Sequence, residues 1–292
     1  MKCGTVAVIG RPNAGKSSLI NALLKTHAVI ISPKPQTTRN LIRCIYNDSD
    51  SQIIFTDTPG IFNNSDKLGD FLNNSILDAI EDCDLVLWLV DAGTKNLDSQ
   101  DFHMAELVKS KPVILVINKS DKFNPAQALG QYIKICAFRH KIAISAKLKR
   151  GLNELISILK NLLPEGQPIY DPDILMDTTE RFMASEIIRE KILMLLRDEV
   201  PHRVAVEIDE YKSPDEFPDR KKLYIRASLI TETEGQKKII IGAGGSMIKK
   251  IGESSRNSLE QITGLPVFLD LWVKVIPGWR KNNLALKRLG YA

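Results

Sequence analysis

Residues Gly10-Arg11-Pro12-Asn13-Ala14-Gly15-Lys16-Ser17 follow the pattern G-x-x-x-x-G-K-[ST], and their flanks constrain the fold more than any other stretch. Val6–Ile9 reads as a short buried strand, and Ser18–Leu24 carries apolar residues at helical spacing. A strand–loop–helix of this kind aims backbone N–H groups and a helix N-terminus at a phosphate chain. Lys16 then adds a point charge to the outer phosphates, and the Ser17 hydroxyl is placed for Mg²⁺. The pattern by itself turns up in unrelated proteins. The strand before it and the helix after it make nucleotide binding the leading expectation.

Three more segments, in order, say which nucleotide. Ile53–Thr56 reads as a strand running into Asp57-Thr58-Pro59-Gly60, a D-x-x-G. A carboxylate there can hold Mg²⁺ through water, and the Gly60 N–H can sense a γ-phosphate. The apolar run Val113–Ile117, of the buried parallel type, ends in Asn118-Lys119-Ser120-Asp121, an N-K-x-D. The Asp121 carboxylate can accept from guanine N1–H and the 2-amino group. Adenine offers neither donor, so the unpaired carboxylate discriminates against ATP. Ile142–Ile144 leads into Ser145-Ala146-Lys147, which brings the Ala146 N–H to a guanine O6.

Taken singly, Asn118 or Asp121 serves equally well as a turn residue and Asp57 as a helix cap. Four motifs in this order, each at a strand end, imply a GTP-binding α/β domain with a doubly wound, mainly parallel sheet. GTP and GDP are the expected substrate and product, with Mg²⁺ held by Ser17, Asp57 and a loop threonine.

That threonine lies in Pro33-Lys34-Pro35-Gln36-Thr37-Thr38-Arg39, a stretch whose prolines mark a loop. Closing over the γ-phosphate is the order–disorder switch of such proteins. Thr38 is the first choice, Thr37 the reserve, and two threonines in a solvated loop the plainer alternative. Ras-type enzymes carry a water-orienting glutamine directly after the D-x-x-G glycine. This chain has Ile61 there, then Phe62, and an apolar side chain cannot orient water. Slow intrinsic hydrolysis follows, with Lys16, Thr38 and the Gly60 N–H as candidates and the chemistry leaning on backbone groups, metal ions or something supplied in trans. Asn13 stands where potassium-dependent GTPases carry an amide that ligates K⁺; shaping the loop is the equal alternative.

At 292 residues two domains are expected. The four cysteines and four histidines are dispersed without ligand spacing, which argues for reduced thiols in a cytosolic protein and against a metal cluster. The first strand begins almost at Met1, leaving no room for a signal peptide, and Leu85–Val90, the most apolar run, is far short of a membrane span. Alternating strands and helices end in a helix from Gly151 to Leu163. Residues 1–165 are therefore the expected GTPase domain, the proline-rich 166–178 a linker, and 179–292 a second domain.

The second domain reads α-β-β-α-β: a helix Arg181–Arg197, strands Arg203–Glu210 and Leu223–Thr231, a helix Ser246–Thr263 and a strand Val267–Ile276. Residues 167–220 hold 7 Lys+Arg against 14 Asp+Glu, whereas 221–292 hold 13 against 5, the electrostatic footprint of a phosphate-backbone partner. Within the basic part, Gly242-Ala243-Gly244-Gly245 is a G-x-x-G turn of the kind that lets RNA backbone approach a KH domain. Ile248, Ile251, Leu259 and Ile262 are expected to bury one face of the following helix. Lys237, Lys238, Lys249, Lys250 and Arg256 are the basic candidates for phosphate contact.

From end to end the chain resembles the bacterial Era family of GTPases, a Ras-like domain followed by a type II KH domain. Beyond the motifs, the resemblance is carried by Arg181-Phe182-Met183-Ala184-Ser185-Glu186-Ile187-Ile188-Arg189-Glu190-Lys191 and Glu234-Gly235-Gln236-Lys237-Lys238. Leu271-Trp272-Val273-Lys274-Val275, Gly278-Trp279 and Leu289-Gly290-Tyr291 match as well. It implies a cytoplasmic, GTP-controlled factor that binds the 3′ end of 16S ribosomal RNA during 30S subunit assembly and associates peripherally with the inner membrane. A monomer without DNA affinity is expected. One departure is Ala243-Gly244, where relatives often carry a lysine, so a phosphate contact is either absent or taken over by Lys249 or Lys250. A GTPase partner in tRNA modification is the alternative, but that family usually places its GTPase domain within or after other domains. A plain RNA-binding protein would be expected to lack Lys16, Asp57 or Asp121.

Overall fold

The computed structural model describes residues 1–32, 34, 37–60, 66–217 and 221–291. The expectations for Pro33, Pro35, Gln36, Ile61 and Phe62 lie outside the described residues. The chain divides into two compact units: Met1–Ile31 with Thr38–Ser65 and Gly69–Asp177, and Thr178–Ala292 with Ser32–Thr37 and Asp66–Leu68.

In the first unit the order is β1 (Lys2–Ile9), α1 (Lys16–Leu24), β2 (Ile42–Asn47), β3 (Ser51–Asp57), α2 (Lys67–Glu81), β4 (Leu85–Asp91), α3 (Ser99–Leu107), β5 (Val113–Asn118), α4 (Pro125–Tyr132), β6 (His140–Ala143) and α5 (Leu152–Leu162). The sheet runs β2-β3-β1-β4-β5-β6, parallel except that β2 is antiparallel to β3. β4 and β5 read as near-continuous apolar runs because helices cover both faces of such a sheet. Trp88, fully buried on β4, meets Tyr132 of α4 edge-to-face with ring centroids 5.5 Å apart. Leu152, Leu155, Ile156 and Leu159 bury one stripe of α5, as their spacing predicts.

The expected linker is tied down. Fully buried Gln52 accepts from the N–H groups of Ile169 and Tyr170 at 2.7 and 3.0 Å, and its amide donates to the Tyr170 carbonyl at 2.8 Å. Further along, Ile45 donates to Leu175 and Asp177 donates to Arg43, so the stretch lies against β2. β2 is an edge strand, and an edge offers unpaired backbone groups to whatever segment can reach them.

The second unit is α6 (Glu180–Leu195), β7 (Ala205–Lys212), β8 (Leu223–Thr231), α7 (Glu234–Ile241), α8 (Ser246–Thr263), β9 (Val267–Val275) and α9 (Asn283–Arg288). β7 pairs antiparallel and β9 parallel with central β8. This is the α+β arrangement expected, with one correction: α7 was not anticipated. Three consecutive isoleucines, Ile239–Ile241, carry strand propensity. Here Thr233 caps the helix by accepting from the Gln236 N–H, and Ile240 is fully buried in the core with Ile188, Ile192, Leu229 and Ile251. Tertiary packing overrides the local preference. On α8, Ile251 and Leu259 are buried, but Ile248 is only half-buried and Ile262 is 39% exposed in the last turn, a second correction.

Candidate nucleotide site and RNA-binding turn

All four nucleotide motifs sit at carboxyl ends of parallel strands, where open α/β sheets bind ligands. β1 and β3 are in register at Val8 and Asp57, β4 and β5 at Asp91 and Asn118, and β5 and β6 at Ile117 and Ala143. The loop after β1 turns so sharply that a Cβ on Gly10, at φ 150°, would stand 2.2 Å from the Leu89 carbonyl oxygen. Only glycine fits.

The phosphate end of the site is compact. Lys16 Nζ donates to the Gly10 carbonyl at 3.0 Å. Its burial pulls the ammonium pKa down to about 8, with the charge of Asp57 opposing the shift. Ser17 Oγ donates to Asp57 Oδ2 at 2.7 Å, and Thr38 Oγ1 donates to the same oxygen at 3.1 Å. The two hydroxyls are 3.2 Å apart. Three hard oxygen donors converging on one point are the set that Mg²⁺ takes. Thr37 is directed elsewhere, donating to the Lys34 carbonyl at 2.8 Å. Thr58 is buried and donates to the Val8 carbonyl, which fixes β3 against β1, and Gly60 lies against Pro12. Ser18, half-buried, begins the exposed side of α1.

Arg11 is held by carboxylates. Its Nε donates to Asp101 Oδ1 at 2.9 Å and its Nη1 lies 3.1 Å from Asp98. Asp101 is fully buried on α3 and also accepts from the Tyr132 hydroxyl at 2.8 Å. Nothing in the sequence near Asp101 marks it, because the fold brings it to the loop from 90 residues away.

At the base end, Asn118 Nδ2 donates to the Ala14 carbonyl at 3.0 Å, tying base loop to phosphate loop. Its Oδ1 accepts from the Ala146 N–H at 3.0 Å, so a guanine O6 would share that donor. Lys119 Nζ reaches the Asn13 carbonyl at 2.8 Å and Asp91 at 2.6 Å. Both Asn13 and Lys119 have left-handed backbones, φ 62° and 65°, and this bond holds the pair. Ser145 Oγ donates to Asp121 Oδ1 at 2.6 Å; that bond lowers the carboxyl pKa and keeps an acceptor presented. Lys147 is exposed beside it.

In the second unit, Gly242, Gly244 and Gly245 all take positive φ, and a Cβ on Gly242 would stand 2.8 Å from the Met247 nitrogen. Ala243 and Gly244 are exposed at the tip. Lys249 and Arg256, a face apart from the buried stripe of α8, line a groove of about 330 Å³ with Ile248, Gly252, Glu253 and Leu271. Lys238 and Lys250 are exposed and Lys237 half-buried, none of them lining that groove.

Two family models match the chain: a 50S ribosome-binding GTPase over residues 5–119 and a KH domain over residues 199–280. The GTPase Era of Caldanaerobacter subterraneus subsp. tengcongensis is 44% identical, over 100% of this chain and 98% of its own. This chain belongs to the Era GTPase family. The Era of Clostridium botulinum is 43% identical over 99% of this chain and 98% of its own. Two solved Era structures superpose with a TM-score of 0.93. One, from Aquifex aeolicus and bound to GDP·AlF4⁻, is 41% identical with both chains fully covered. The other, in complex with MgGDPNP and nucleotides 1506–1542 of 16S ribosomal RNA, is 40% identical over 100% of this chain and 99% of its own.

Proposed function

We propose that this Era-family chain is a GTP-hydrolysing switch that binds the 3′ end of 16S ribosomal RNA and assists assembly of the 30S subunit. One observation carries the reading: Ser17, Thr38 and Asp57 meet in one unit, while a second unit presents a G-x-x-G turn beside a basic groove. The Era relative solved with MgGDPNP and 16S nucleotides supports it.

In this reading Lys16 and the backbone N–H groups from Asn13 to Ser17 cradle the phosphates. Asp121 selects guanine, and Thr38 with Gly60 registers the γ-phosphate. Mg²⁺, held through Ser17, Thr38 and Asp57, neutralises charge on the β- and γ-phosphates. Intrinsic hydrolysis is slow, because Ile61 cannot orient water. Asn13 ligates K⁺ at the phosphate loop. The chain works as a cytoplasmic monomer with peripheral association at the inner membrane, and no described helix is long and apolar enough to cross one.

The test is nucleotide binding and turnover with and without a short RNA matching the 16S 3′ end. GTP should be bound in preference to ATP, and turnover should be faster in K⁺ than in Na⁺. Asn13→Ala should remove the salt difference. ATP bound as well as GTP would sink the base assignment, and equal rates in the two salts would return Asn13 to a loop-shaping role.

A further inference from the structure

The phosphate loop is held by side chains that come from elsewhere in the chain. Asn118 holds the Ala14 carbonyl and Lys119 the Asn13 carbonyl, both from the base end of the site. The start of the loop rests on Arg11, and Arg11 rests on Asp101. Its Nε donates to Asp101 Oδ1 at 2.9 Å and its Nη2 donates to Oδ2, a bidentate fork. Nη2 also donates to the Asn96 carbonyl at 3.2 Å.

Asp101 is saturated. Besides the fork, Oδ1 accepts from the Tyr132 hydroxyl at 2.8 Å and Oδ2 from the Asp98 N–H at 3.0 Å. These bonds fill the roughly four acceptor sites of a carboxylate. Tyr132 is itself buried, and burial pushes its hydroxyl pKa up to about 12, so it remains a donor. The Asp101 side chain is 0% exposed and that of Arg11 25%. Taking a carboxylate wholly out of water is costly, and apolar residues in place of such a pair are often as stable or more so. What a saturated fork supplies is a single orientation of the guanidinium.

That orientation reaches the chemistry through two contacts. Lys16 Nζ donates to the Arg11 carbonyl at 3.4 Å as well as to that of Gly10. Pro12, the next residue, abuts Gly60, on which a Cβ would stand 3.0 Å from Pro12 Cγ. Lys16 and the Gly60 N–H are the groups that meet the outer phosphates in the function proposed above.

We propose that Asp101 is a positioning residue for GTP hydrolysis: acting through Arg11, it sets where Lys16 and Gly60 stand against the γ-phosphate. The proposal rests on the hydrolytic reading and adds a residue that touches no nucleotide.

The full chain is compared with Asp101→Asn, which keeps the size of the side chain and puts an N–H₂ where the fork needs an oxygen. Turnover at saturating GTP should fall about tenfold or more, with KM for GTP and affinity for GDP each held within about threefold. All rates are taken in one K⁺ buffer, so the role of Asn13 does not enter. A loop merely loosened would lose GDP in parallel with turnover, and that parallel loss overturns the proposal. In an Arg11→Ala background, Asp101→Asn should change turnover by less than about twofold, because the group it acts through is gone. Equal falls in the two backgrounds overturn the proposal as well. Should Asp101→Asn fail to fold, Arg11→Lys reads the fork from its more exposed side. It keeps the charge without the bidentate geometry and should show the same split between turnover and GDP affinity. A native chain without turnover fails the hydrolytic reading and the proposal together. Native turnover that Asp101→Asn leaves unchanged fails the proposal alone.

Discussion

Asp121 shows how one side chain selects a base. Ser145 donates to one carboxylate oxygen at 2.6 Å and lowers the pKa, so the half-buried group is held ionised and oriented. Guanine matches it with two donors, whereas xanthine presents a 2-oxo group and repels it. Asp121→Asn should therefore weaken GTP by at least tenfold and improve xanthosine triphosphate, as competition binding with both nucleotides will read. An unchanged preference would remove Asp121 from base recognition. Loss of both nucleotides together would point to collapse of the Ser145 contact. The same dependence on neighbours holds at Asn118, whose amide spans Ala14 and Ala146 and makes the two loops one structure.

At the scale of the element, α6 carries an interior that pattern reading cannot find. Glu186, Arg189 and Glu190 are at most 8% exposed on a helix whose apolar residues already suggest one buried face. Arg189 Nε donates to Glu186 Oε1 at 2.7 Å, and a second bond from Nη2 completes a bidentate pair one turn apart. Removing one partner of a buried pair leaves an uncompensated charge, which costs about 3–5 kcal/mol, while replacing both with apolar groups is often neutral. Glu186→Ala should therefore lower the stability of the second unit strongly in urea unfolding, and Glu186→Leu/Arg189→Met should recover most of the loss. Equal destabilisation of single and double variants would show that packing, rather than charge pairing, sets the cost. Gln52 is the counterpart in the first unit: one buried amide orders three backbone groups of the 166–177 stretch.

For the whole molecule, nucleotide and RNA motifs occupy separate compact units, so each should be removable without the other. Ala243-Gly244→Asp-Asp puts two negative charges where a phosphate would lie, at positions open to solvent and, for Gly244, at a φ of 57° that Asp tolerates. RNA affinity should fall well over tenfold, each charge costing on the order of 1 kcal/mol or more. GTP affinity should stay within about twofold. If GTP favours the RNA-binding state, RNA must tighten GTP by the same factor. Titrating RNA against GTP-bound, GDP-bound and nucleotide-free protein measures that factor. Identical affinities in all three would mean two independent modules and no switch.

The amino-acid sequence by itself determined the parts whose chemistry is local. A phosphate loop needs Gly10 and Lys16 at fixed spacing, an N-K-x-D needs its strand end, and a G-x-x-G turn needs glycines that accept positive φ. Such demands are written into consecutive residues, and the structure carries these motifs on the strand ends and the turn where they were expected. Tertiary structure decided what depends on distant neighbours. Thr38 rather than Thr37 meets Ser17 and Asp57, since that choice is made where the first turn of α1 meets the end of β3. Arg11 is anchored by Asp101, Ile239–Ile241 turn helical over the core, and the proline-rich stretch folds onto β2. In each case the deciding partner is remote in sequence, and no local pattern could announce it.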